Sequence, residues 1–195
     1  MPTPIDVVVY LHTRGGCRLE GNFLKNVLLP RIGLVMFDFA GSGYSEGEYI
    51  TLGYREAIDT LKVVEHIRST VNVNKVILWG RSMGAVAAIL AASRDKPNSL
   101  VNCLILDSPF SCFKTMVHDV IAANKKIPRC LINMALFFVL KTVKKKIGID
   151  LRTIKPIKEV ANLEIPCFFL VGKADIISRP DKVKDLYIAY KGQIK

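Results

Sequence analysis

A chain of 195 residues, half of them hydrophobic, is the size of one domain and can bury a core without disulfide or metal support. Its formal net charge of +11 comes from 28 Lys and Arg set against 17 Asp and Glu, but the cations are spread along the chain, so a nucleic-acid binder is not expected. Cys17, Cys103, Cys112, Cys130 and Cys167 are odd in number and lack C-x-x-C spacing, which argues against a disulfide framework or a zinc knuckle and for a reducing, cytoplasmic setting.

The opening Met-Pro-Thr-Pro has neither the basic start nor the apolar stretch of a signal peptide, and the most apolar run, 130–140, is too short to span a bilayer. A first apolar run, 5–11, reads as a strand and leads into His12-Thr13-Arg14-Gly15-Gly16; a second, 33–37, leads into Asp38-Phe39-Ala40-Gly41-Ser42-Gly43. Ala57, Ile58, Leu61, Val64 and Ile67 then lie on one helical stripe. A third strand, 75–79, runs into Gly80-Arg81-Ser82-Met83-Gly84 and a helix over 85–93. The fourth, 101–106, ends in Asp107-Ser108-Pro109, and a helical pattern follows at 113–123. The longest gap between strands, 108–165, is broken by Pro128 and Pro156, so a helical cap is expected at about 110–160. Within it the apolar-basic segment 129–146, with Lys141, Lys144, Lys145 and Lys146, is a candidate contact for an acidic membrane surface. The fifth strand, 166–171, leads to Gly172-Lys173-Ala174-Asp175, and a last helix covers 181–190.

Runs that are apolar on both faces and alternate with helices predict an α/β fold: a three-layer α/β/α sandwich on a mainly parallel sheet, one domain over 1–195. In such sheets ligands sit beyond the carboxyl ends of the strands, where the polar loops above collect.

The segment 80–84 matches G-x-S-x-G between a strand and a small-residue helix, the context that the motif requires. Its glycines permit a turn tight enough to project the Ser82 hydroxyl from the sheet, while the helix start aims N–H groups at the same spot. Ser82 is therefore the candidate nucleophile, against the plainer alternative that it caps a helix. The oxyanion donors expected are the N–H of Met83 and one from Thr13 or Arg14.

With these residues in view, the chain resembles the α/β-hydrolase superfamily in its serine-aminopeptidase-like and depalmitoylase-like branch. The likeness lies in Tyr10-Leu11-His12 with Gly16-Cys17-Arg18-Leu19-Glu20, the stretch from Asp38 to Gly47, Leu78 to Ala85, Leu106-Asp107-Ser108-Pro109-Phe110 and Gly172 to Asp175. It implies strand order 2-1-3-4-5, Ser82 as nucleophile, Asp175 as the acid of the triad, the His12 loop in the oxyanion hole, and hydrolysis of an ester, thioester or amide with no cofactor and no metal. Thr13 stands where the family has glycine, and the run Asp175-Ile176-Ile177 is one residue shorter than the family pattern. The family's base histidine follows the acid, whereas none follows Asp175 here. His12 reads as a loop hydrogen-bonding residue and His66 and His118 as surface residues, so the base is expected beyond Lys195, in a longer product that also extends at the amino end. The competing reading is a non-catalytic binding module using Arg14, Arg81 and the basic cap segment; Asp107 is the reserve acid.

Overall fold

The computed structural model describes residues 3–95, 100–122 and 128–194. In chain order its elements are β1 (Ile5–Leu11), a 3-10 stretch (Arg18–Leu24) running into α1 (Lys25–Leu28), β2 (Gly33–Met36), α2 (Tyr54–Thr70), β3 (Val73–Arg81) and α3 (Met83–Arg94). They continue with β4 (Cys103–Asp107), α4 (Phe113–Ala122), α5 (Arg129–Ile147), a 3-10 turn (Leu151–Thr153), α6 (Pro156–Val160), β5 (Cys167–Leu170) and α7 (Pro180–Ala189). Position 123, the last expected for α4, lies outside the described residues. The strands pair in parallel in the expected order β2-β1-β3-β4-β5.

β1 is rich in β-branched residues and buries Val7 through Leu11, as a strand with neighbours on both edges should. Its alternation splits the molecule. Val7, Val9 and Leu11 join Leu78, Leu104 and Leu106 in the larger core, whereas Val8 and Tyr10 join Leu24 in a smaller one. The larger core is closed by residues of α2, α3, α6 and α7, including Val64, Ile89, Val160 and Leu186. The smaller one is closed by the Arg18–Leu28 stretch, through Leu24 and Leu28. Burial on both faces therefore holds for β1 but fails at the edge strand β5, where Phe168 is 56% exposed. β3 begins at Val73 and ends at Arg81, longer than its apolar run, because Val73 pairs with Ile5 across a register shift and polar Arg81 still pairs with Asp107.

α3 is buried from Met83 through Ala92, and its alanines let it lie close to β1, β3 and β4. α2 begins where the buried Glu56 carboxylate accepts the N–H groups of Thr51 at 2.7 Å and Gly53 at 2.9 Å. α4 and α5 follow β4 and precede β5 in the chain, and α6 packs against α3 and α7. The end of the 110–160 region therefore belongs to the helical layer. Among the described residues no helix is long and apolar enough to cross a membrane.

Candidate active site

The turn joining β3 to α3 is fixed by steric contacts. A Cβ on Gly80 would fall 2.3 Å from the Gly84 carbonyl oxygen, and one on Gly84 would fall 2.0 Å from the Leu11 oxygen. Both positions therefore admit only hydrogen, which is why the motif spends glycine at each. Between them Ser82 is driven to φ 51° and ψ −112°, outside the regions that L-residues favour. Its N–H donates to Asp107 O at 2.8 Å and its carbonyl accepts from Val86 N at 3.1 Å, so the backbone is held on both sides. Its side chain makes no helix-cap hydrogen bond, and the plainer capping role is not the one observed.

Ser82 lines a cavity of about 560 Å³ at the carboxyl ends of the strands. Thr13, Arg14, Met83 and Asp175 line it as well, whereas the reserve acid Asp107 and His12 do not. Among the described residues, three non-glycines have positive φ: Leu52 at 56°, Ser82 at 51° and Ser108 at 54°. All three line this cavity. Such conformations cost about 1–3 kcal/mol each and persist only where the surroundings over-determine them. Here the surroundings are visible. Leu52 sits between the two N–H groups bound by Glu56, and Ser108 is tied through its N–H to Leu170 O at 2.8 Å and through its hydroxyl to Asp107 Oδ1 at 2.9 Å.

The loop after β1 corrects one detail. The Thr13 N–H, expected as an alternative oxyanion donor, donates instead to Glu20 Oε2 at 2.9 Å, and the Thr13 hydroxyl donates to the same oxygen at 3.1 Å. Arg14 N–H and Met83 N–H have no such partner among the described residues. Glu20 itself lines the cavity and lies 3.5 Å from the Arg81 guanidinium, linking the loop to the elbow. Its role escaped the sequence because it sits on a 3-10 stretch that no hydrophobic period announces. Leu52, Phe110, Met116, Val117, Ile121 and Ile177 supply the apolar wall, another feature that only the fold assembles.

Two carboxylates compete for the role of acid. Asp175 Oδ1 accepts the N–H groups of Ile177 at 2.9 Å and Ser178 at 2.8 Å, while its Oδ2 has no hydrogen bond from a described residue. Asp107 is engaged at both oxygens, by Ser108 and by Arg81 Nε at 3.5 Å. Asp175, which lines the cavity, thus keeps a free acceptor oxygen, and Asp107 does not.

None of the three histidines lines the cavity. His12 is fully buried; its Nδ1 bonds Thr13 O at 2.8 Å and its Nε2 accepts Phe39 N–H at 3.1 Å, which sets the neutral tautomer and uses both nitrogens. His66 is exposed on α2 and His118 half-buried on α4. Among the described residues there is also no group of three or more His, Cys, Asp or Glu able to hold a metal ion.

The profile of the family described as serine aminopeptidase, S33 matches residues 7–153. The chain belongs to that family. A relative in sequence is the uncharacterized protein YfhR of Escherichia coli O157:H7, 34% identical over 123 residues, covering 62% of this chain and 42% of that protein. The chain thus spans less than half the length of this curated relative. In structure it resembles the esterase Pf2001 of Pyrococcus furiosus, with TM-score 0.72 at 21% identity over 98% of this chain and 73% of that one. It also resembles acetyl xylan esterase 1 of Thermoanaerobacterium sp. JW/SL YS485, with TM-score 0.73 at 14% identity over 100% of this chain and 68% of that one. A monoacylglycerol lipase of Paleococcus ferrophilus matches with TM-score 0.68 at 19% identity, over 97% of this chain and 83% of that one. These likenesses establish the α/β-hydrolase fold.

Proposed function

We propose that this chain is the core of a cytoplasmic serine hydrolase that cleaves an ester, thioester or amide through an acyl-enzyme on Ser82. The observation that carries the reading is the convergence of the three strained non-glycine residues, Ser82 among them, on one cavity. Family membership and the activities of the fold's relatives, an esterase and a monoacylglycerol lipase, support hydrolysis as the chemistry.

In this reading Ser82 Oγ adds to the substrate carbonyl carbon while its proton passes to an imidazole. The carbonyl oxygen gains a negative charge, which the N–H groups of Arg14 and Met83 receive. The imidazolium then returns the proton to the leaving alcohol, thiol or amine as its bond to carbon breaks. Water repeats the sequence on the acyl-enzyme and releases the acid. The free oxygen of Asp175 orients the imidazole, which is contributed by a histidine outside these 195 residues, since His12 has no free nitrogen and His66 and His118 lie elsewhere. The apolar wall of Leu52, Phe110, Met116, Val117, Ile121 and Ile177 suits an aliphatic acyl group.

Turnover of a series of p-nitrophenyl esters by the full-length protein tests the reading. Faster turnover of medium-chain than of acetyl esters is expected, with loss in Ser82→Ala. Absence of Ser82-dependent turnover across the series contradicts it and leaves the binding-module alternative, with Arg14 and Arg81 as ligand contacts.

A further inference from the structure

Helix α5 is apolar on two sides, and the fold uses one. Ile132 and Ile147 are buried and Leu140 and Val143 half-buried, forming an inward stripe at helical spacing. Arg55 fastens the end of the helix by donating to Ile147 O at 2.8 Å. The outer side of the first half is also apolar, with Leu131, Met134, Phe137, Phe138 and Val139 each about half exposed or more. The rings of Phe137 and Phe138 meet edge to face at 5.7 Å. Further along, Lys141, Lys144, Lys145 and Lys146 are all exposed, and the helix contains no acidic residue. Lys144 lies 3.7 Å from Asp150, whereas Lys141, Lys145 and Lys146 have no carboxylate partner among the described residues.

We propose that this outer face of α5 is a docking surface for an anionic lipid bilayer. The helix lies in the plane of the headgroups, with Phe137, Phe138 and Met134 inserted and the lysines on the headgroup anions. The charge pattern selects this occupant over a protein. Interfaces between proteins are depleted in lysine, whereas an apolar patch continued by unpaired lysines on one helix complements a surface that is oily within and negative outside. Five large apolar side chains on one exposed stretch also exceed the scattered hydrophobics of an ordinary surface.

The position of α5 gives the docking a use. The Leu151–Thr153 turn packs against both α5 and α4, and α4 supplies Met116, Val117 and Ile121 to the cavity. A docked α5 therefore brings the cavity wall to the lipid phase, where acyl substrates reside. That use rests on the hydrolase reading, but the docking does not.

Co-sedimentation with phosphatidylcholine vesicles, with and without phosphatidylserine, tests the proposal. The full-length protein should bind the anionic vesicles at least roughly tenfold more tightly than the neutral ones, with the difference shrinking at high salt. Phe137→Ser with Phe138→Ser, and separately Lys141→Gln with Lys145→Gln and Lys146→Gln, should each weaken binding by a similar factor without changing the circular dichroism spectrum. Ser82→Ala should bind like the parent, which separates this claim from the catalytic one. If the variants misfold, hydrogen exchange of 131–139 in the parent decides, with protection expected on adding anionic vesicles. Equal binding by parent and variants, no protection of 131–139, or a parent dimer that the Phe variant converts to monomer without vesicle binding would each overturn it.

Discussion

The two ends of the cavity are built by different means. At Ser82 the geometry is imposed from outside: β1, β4 and α3 press on the turn, and Gly80 and Gly84 leave no room for a side chain. At Asp175 the geometry is made locally. Oδ1 folds the loop onto the N–H groups of Ile177 and Ser178, the neighbouring Ile176 and Ile177 are 69% and 53% exposed, and a Cβ on Gly172 would meet nothing nearer than 4.0 Å. Ser82 is therefore locked by packing and Asp175 by its own side chain. A side chain added at Gly80 or Gly84 threatens the fold, and changes at the second end should alter chemistry and leave the fold standing.

The largest effect expected is kinetic. Asp175→Asn retains an oxygen for the two loop hydrogen bonds, so the melting temperature of the full-length protein should barely move while its rate of ester hydrolysis falls by about a thousandfold. Asp107→Asn is the control. If it abolishes activity and the Asp175 variant does not, the roles of the two carboxylates are reversed. Next comes Gly84→Ala, whose methyl would meet the Leu11 carbonyl oxygen at 2.0 Å. Denaturant unfolding should show a loss of about 3 kcal/mol or more, because the obstacle is backbone that cannot swing aside.

A smaller effect is expected behind the elbow, at Asp38, whose carboxylate is bonded by the guanidinium and N–H of Arg18 and by Tyr44 N–H. Burial pushes this carboxyl up, but those donors outweigh it and hold it below the usual carboxylate range. Its unfolded value is about 4, so the stabilisation is complete above that pH and is lost as the pH falls through the lower folded value. Asp38→Asn should cost about 2 kcal/mol at neutral pH and flatten the acid limb of the stability profile. Smaller still, Ser82→Gly relieves the positive φ and should raise stability by about 1 kcal/mol while removing the proposed nucleophile. The mildest test compares two cysteines. Burial pushes the Cys167 thiol at the start of β5 up to about 12, so it should resist alkylation in the native protein while exposed Cys130 reacts.

The contrast between the two ends also explains what the sequence disclosed. Strands and the elbow were legible because their constraints are local in sequence: a run of apolar residues, or glycines two positions either side of a serine. The Thr13 N–H was misjudged because its partner, Glu20, is seven residues away on a 3-10 stretch with no periodic signature. The layer that receives α6 is not legible, because Pro156 breaks the helical pattern of the gap but says nothing of the packing against α3 and α7. The strain at Leu52 and Ser108 had no sequence signal at all, since a non-glycine is held at positive φ only by contacts made elsewhere in the fold.

The most direct test of Ser82 as nucleophile is covalent labelling with a fluorophosphonate, read by mass spectrometry, on the full-length protein and on the 195-residue chain with added imidazole standing in for the histidine. Phosphonylation at Ser82 in both, accelerated by imidazole in the shorter chain and missing in Ser82→Ala, is the predicted result. An unlabelled Ser82 in the full-length protein, or a label that persists in the Ser82→Ala variant, would contradict the account.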